Sequence, residues 1–235
     1  MERNVQRLDV LAGGSAYGVD QHRVLRNTYW LLALSMLPTV AGAWLGLQLG
    51  VAQWMAHSPT MSLLLFFIGA YGLMAGIHAT RNSSTGVFLL LGFTFFMGVM
   101  LSRLLGMVLG GYSNGADLIM TAFGGTAAVF FGMASLATVV KRDLSGLSRF
   151  LFVGVLVAIV ASLVNVFFAH SSALMLTIST AMTAVFSLFI LVDVKRVIDG
   201  GETNYIMATL SIYLDLYNLF QNLLMILASL TGDRR

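Results

Sequence analysis

Seven stretches of this chain, at positions 28–50, 61–80, 86–109, 118–140, 150–169, 173–194 and 205–230, run apolar and nearly free of charge. Each is as long as the roughly 20 helical residues needed to cross a bilayer. A backbone in hydrocarbon must satisfy its own hydrogen bonds, which leaves only helices or a closed barrel. Barrel strands would alternate in polarity over about 10 residues, and these runs do not, so the sequence predicts an all-α polytopic membrane protein. Composition agrees: 58% of the 235 residues are hydrophobic and 10% charged, against about 25% charged in soluble domains. The links are too short for a soluble domain, so 28–230 forms one seven-helix unit between a tail at 1–27 and a short tail at 231–235. The first tail is polar, broken by Gly-Gly-Ser, and lacks the apolar core of a cleavable signal. It reads as a mobile cytoplasmic segment ending in a basic membrane anchor.

Charge sets the expected orientation. With the N-terminus cytoplasmic, the inner segments hold Arg3, Arg7, Arg23, Arg26, Arg81, Lys141, Arg142, Arg149, Lys195 and Arg196 out of 13 basic residues, and the outer links "GVAQWMAHSPT", "GGYSNGAD" and "FFAHSS" hold none. That is the positive-inside pattern. Seven spans place the C-terminus in the periplasm, with the final "DRR" a mild violation; six spans with a re-entrant last segment is the other count open. The net charge of +3 is explained by residues at membrane faces, and no basic face interleaved with aromatics points to nucleic acid. With no cysteine, disulfides and thiolate metal sites are excluded. His22, His57, His78 and His170 show no metal spacing, and Trp30, Trp44 and Trp54 suit an interfacial belt.

The last run, "IMATLSIYLDLYNLFQN", carries a carboxylate at its centre. At 100° per residue, Asn204, Ser211, Asp215, Asn218 and Asn222 fall on one stripe. Polar groups at such depth should face other helices or water rather than lipid, so this span is expected in the interior. Helix-to-helix hydrogen bonding alone would account for the asparagines; an ionisable Asp points further, to function. Asp193, at the inner end of the sixth span beside Lys195 and Arg196, is read equally well as a headgroup-zone residue. If both helices meet at Gly200 and Gly201, Asp215 lies about 10 Å deeper than Asp193. Arg81 closes the second span on the inner side, as an anchor or as a partner for the acids, and Arg103 within the third span is expected to snorkel outward or meet Asp117.

"GGETNYIMATLSIYLDLYNLFQNLL", with "ILVDVKR" before it and "HRVLRNTYWLLALSM" opening the first span, resembles the Bax inhibitor family, also called the transmembrane BAX inhibitor motif family, and is most similar to its bacterial YccA-like branch. The likeness covers nearly the whole chain. It implies a C-terminal helix wrapped by six others in a bacterial inner-membrane protein. From members that act as channels it implies an aspartate pair on the last two spans, joined by an arginine, gating a pH-sensitive calcium leak. Asp193 and Asp215 match that pair, and Arg81 is the nearest match to the arginine. The YccA-like branch is associated instead with the membrane protease FtsH, as a slowly degraded substrate that moderates it.

Two carboxylates close together in a poorly solvated site cannot both ionise cheaply, which makes a proton-sharing switch. Calcium usually wants six or more oxygens; Asp193 and Asp215 with Ser211, Asn218, Asn222 and water would make a weak site suited to passage. A pH-gated cation leak, with no enzymatic activity and no resident cofactor, is therefore the expected function. The alternative is a modulator and substrate of FtsH, engaged through the N-terminal tail, with no transport role. An intramembrane aspartyl protease, which also needs two Asp on neighbouring spans, is set far behind because neither acid lies in Gly-x-Gly-Asp.

Overall fold

A computed structural model describes residues 2–233, with side chains from residue 21 onward except at 52, 56 and 59. The expected tail 1–27 thus lies largely outside the residues described in side-chain detail, as do Arg234 and Arg235. Eight helices follow in order: α1 (Glu2–Gln48), α2 (Val51–His57), α3 (Pro59–Thr80), α4 (Ser84–Gly111), α5 (Gly115–Val139), α6 (Ser145–Val164), α7 (Ser172–Ile198) and α8 (Tyr205–Thr231). Among the described residues, seven are long and apolar enough to cross a membrane, α1 through its part Gln21–Gln48. The short α2 lies in a segment expected to be a simple link. Gly50, in the left-handed region at φ 70°, separates it from α1, and its Met55 is buried at 5% exposure.

α8 packs against α1, α3, α4, α5 and α7, so the last helix is the core of the bundle. The fifth span, α6, packs mainly on α7. Leu151 is its one buried residue among those described, while Phe150, Phe152, Val157 and Val160 are exposed. Such an apolar exterior suits hydrocarbon and would not suit water. α6 ends in a π-helical turn, Asn165–Ala169, closed by His170 in the left-handed region at φ 47°. The Asn165 side-chain oxygen accepts from Ser171 N–H at 2.8 Å, which ties this turn to the start of α7.

Whether the last segment crosses is decided by its ends. At its start, the Asn204 side-chain amide donates to the Arg81 carbonyl at 2.8 Å and to Asn82 Oδ1 at 3.0 Å, in the α3–α4 turn. At its end, Asn114 Nδ2 donates to the Thr231 carbonyl at 3.0 Å, and Ser113 Oγ to Asp233 Oδ2 at 2.8 Å, in the α4–α5 turn. Those turns lie at opposite ends of α4, so α8 runs its full length beside α4 and seven spans, not six, describe the chain.

The "GGETNY" segment explains itself in this setting. Gly200 takes φ 76° and closes α7 with Gly201 N–H on the Arg196 carbonyl at 2.9 Å and Gly200 N–H on Val197 at 3.2 Å, the glycine-ended helix stop that only a residue without Cβ adopts cheaply. Glu202 then accepts from Asn204 N–H, and Asn204 Oδ1 accepts from Ile206 and Met207 N–H at 3.0 and 3.1 Å, capping α8. Asn204 was expected on a polar transmembrane stripe; it serves instead as the N-cap and as the tie to the α3–α4 turn. Replacing it with Ala is expected to cost about 1–2 kcal/mol, read as a lower unfolding temperature in detergent, whereas Asn204→Asp, which retains the cap acceptor, should lose less.

Candidate functional site

Helix α8 has two buried faces of different chemistry. One carries Ile206, Thr209, Tyr213, Tyr217 and Leu224 against α1 and α4. Its hydroxyls meet the backbone of their neighbours: Thr209 Oγ1 reaches the Thr28 carbonyl at 3.3 Å, Tyr213 the Thr94 carbonyl at 3.4 Å and Thr39 Oγ1 at 2.9 Å, and Tyr217 the Met97 carbonyl at 3.2 Å. Each of these contacts joins the central helix to a wall helix at a depth where water does not compete. Tyr213 and Tyr217 stand outside the expected polar stripe; their signal in the sequence is a spacing of four on a helix expected to be interior.

The other face holds Asp215 with Ser211, Asn218 and Asn222. Asp215 is 7% exposed, and its Oδ2 is buried without a hydrogen-bond partner among the described residues. Leaving such an oxygen without a donor costs about 1–3 kcal/mol, more if it carries charge. Asp193 is half-buried on α7, the helix that packs most extensively on α8. The late start of α8 narrows the offset in depth between the two acids. Asp193 sits five residues before the end of α7 and Asp215 ten after the start of α8, a difference of about 7–8 Å along the axes rather than the 10 Å expected from helices meeting at the glycines.

Toward the α4–α5 end the polar stripe continues. Asn218 Nδ2 donates to the Leu214 carbonyl and Asn222 Nδ2 to the Asn218 carbonyl, both at 2.8 Å. Binding their amide nitrogens to their own helix leaves the side-chain oxygens as the groups available to a cation or water. Asn222 opens onto a cavity of about 360 Å³ that is also lined by Gln221, Ser162, Asn165 and Ser179. Ser211, one turn below Asp215, is half-buried. Among the described residues no group of three or more His, Cys, Asp or Glu could hold a metal.

Arg81 sits apart from this arrangement. It is exposed at the end of α3 and touches α8 through its carbonyl, on Asn204. Among the described residues the one ion pair is Lys195 with Asp199, so neither Arg81 with the acids nor Arg103 with Asp117 forms one.

A family profile described as "Inhibitor of apoptosis-promoting Bax1" matches residues 21–232, which takes in every spanning helix. The chain belongs to the Bax inhibitor family. Within it, the chain is 41% identical over 210 residues to an uncharacterized protein of Pseudomonas aeruginosa, covering 89% of this chain and 90% of that one. It is 39% identical over 226 residues to one from Neisseria meningitidis serogroup A, covering 93% and 96%. It is also 37% identical over 215 residues to the Escherichia coli K12 protein named "Modulator of FtsH protease YccA", covering 92% and 94%. The same protein in another E. coli strain is named "Inner membrane protein YccA". Family membership and seven spanning helices make this a multi-pass membrane protein of the Bax inhibitor type.

Proposed function

We propose that the protein is a pH-sensitive leak for calcium or other cations, in which Asp193 and Asp215 share protons and so set whether the bundle is open along α8. The observation that supports this is the buried Asp215 oxygen, without a partner among the described residues, on the helix against which Asp193's own helix packs. Two such carboxyls cannot both ionise cheaply, so pH or a cation competes for the site and biases the packing of α7 on α8. Asn218 and Asn222 continue the oxygen-bearing stripe from Asp215 to the cavity beside Asn222, giving a cation a ladder of weak ligands. Ser211 continues it in the other direction. Six or more oxygens are needed around calcium, and this stripe with water supplies them only loosely, which suits passage.

Arg81 enters the proposal through its position. Its carbonyl ties the α3–α4 turn to the cap of α8, and a guanidinium brought to the acids in the closed state would favour their charged forms. Reconstituted into vesicles enclosing a calcium dye, the protein should pass calcium faster than protein-free vesicles, at a rate that depends on pH. Asp193→Asn should flatten that dependence. A rate equal to that of empty vesicles at every pH would remove the channel proposal.

A second function is favoured by the name of the E. coli relative: moderation of an FtsH-type membrane protease, with residues 1–27 as the segment the protease engages. Co-purification with the protease that is lost on deleting those residues, with vesicle flux unchanged, would support it. The two activities are separable by these readouts.

A further inference from the structure

Arg103 is a cation placed where a membrane helix rarely keeps one. It lies eight residues before the end of the 28-residue α4, about 12 Å from the helix end. A helix that long outreaches the hydrocarbon core of about 30 Å by about 6 Å at each end. The Arg103 Cα therefore sits about 6 Å inside the apolar layer, within reach of the headgroups for a long side chain. The residue is exposed and forms no ion pair among the described residues; in particular it does not meet Asp117. Instead it lines a cavity of about 210 Å³ between α3, α4 and α8.

The walls of that cavity divide by chemistry. Leu63, Phe66, Leu104 and Met107 give it apolar walls, and Ser62 and Gln221 line it together with Arg103. Among the described residues no acidic one lines it. A positive fork-shaped donor at headgroup depth, above a lipophilic groove, is complementary to a phosphate carrying an acyl chain. We propose that this groove binds one anionic phospholipid, its phosphate on Arg103 and Gln221 and the start of a chain along Phe66 and Met107. The bound phosphate supplies the counter-charge that the protein itself does not, and the chain seals α3 against α4 on the side away from Arg81.

Native mass spectrometry of the full chain in mild detergent tests this with phosphatidylglycerol and phosphatidylcholine of identical chains. The wild type should retain one phosphatidylglycerol with a preference of about tenfold or more over phosphatidylcholine, the ratio expected for one charge-assisted hydrogen-bonded contact. Arg103→Gln should lose that preference, and Arg103→Lys should recover part of it. Met107→Trp, which fills the groove and leaves the charge, should weaken retention of both lipids. In parallel, phosphatidylglycerol should raise the unfolding temperature of the wild type but not of Arg103→Gln, and inorganic phosphate should have no effect. Equal lipid preference in wild type and Arg103→Gln, or stabilisation by inorganic phosphate matching that by the lipid, would overturn the proposal.

Discussion

Replacing Asp215 with Asn is expected to abolish the pH dependence of cation flux while leaving the fold intact. An amide has the shape of the carboxyl and cannot titrate, so the switch is frozen without a cavity being made. Stability should hold or rise by about 1 kcal/mol. The reason is local: Asn218 and Asn222, on the same stripe, each donate Nδ2 to the carbonyl four residues back, and an Asn at 215 has the Ser211 carbonyl in the same relation. A buried oxygen that now lacks a partner would be exchanged for a side chain that makes its own hydrogen bond. Flux against pH in vesicles and unfolding temperature in detergent are the two readouts. A variant that keeps the wild-type pH profile would show that Asp215 is a structural residue and no part of a switch.

The largest structural effect is expected at Gly98. Helices α1 and α4 cross at backbone contact: a Cβ on Gly98 would lie 2.1 Å from the Thr39 carbonyl oxygen, and one on Gly42 would lie 2.1 Å from the Phe95 carbonyl oxygen. Gly46, one turn further along α1, faces the Ser102 side chain, with a Cβ there 2.5 Å from Ser102 Oγ. Gly42 and Gly46 form the small-xxx-small spacing by which membrane helices approach closely. Backbone atoms cannot rotate aside, so Gly98→Ala must push the helices apart. The movement would also pull Thr39 from Tyr213, the contact that ties α1 to the central helix. A loss of about 3 kcal/mol, at the upper end for overpacking, is the expected result, seen as a large fall in unfolding temperature or in yield of folded protein. Gly92, on the same helix, has nothing within 4 Å of where a Cβ would stand. Gly92→Ala should therefore be tolerated, and a Gly98→Ala protein as stable as Gly92→Ala would contradict the close crossing.

The seven helices were legible because hydrocarbon leaves the backbone no alternative, and length plus apolarity suffice to mark them. The central place of α8 was legible too, from the polar stripe that lipid would reject. Relations between helices were harder to read. The α1–α4 crossing depends on which glycines face each other, and "GAWLG" in α1 signals it only once a partner is known. Asn204 shares its helical angle with Asp215, so angle alone put it on the stripe; Asn just ahead of an apolar run is the cap signal that separates the two roles. The depth of Asp193 relative to Asp215 turned on where α8 begins, which the Glu202–Asn204 hydrogen bond fixes. Arg81 was placed correctly at the end of the second span, but the direction of a long side chain at a turn is set by tertiary contacts that periodicity does not encode.

The central claim, that the two carboxyls titrate as a pair, is most directly tested by infrared difference spectroscopy of the membrane-reconstituted protein across pH, with the Asp215 carboxyl band assigned by its loss in Asp215→Asn. If protons are shared, Asp193→Asn will displace the titration of that band by a clear margin. A band that titrates at the same pH with and without the Asp193 carboxyl would mean that the acids act independently, and the switch built on them would not stand.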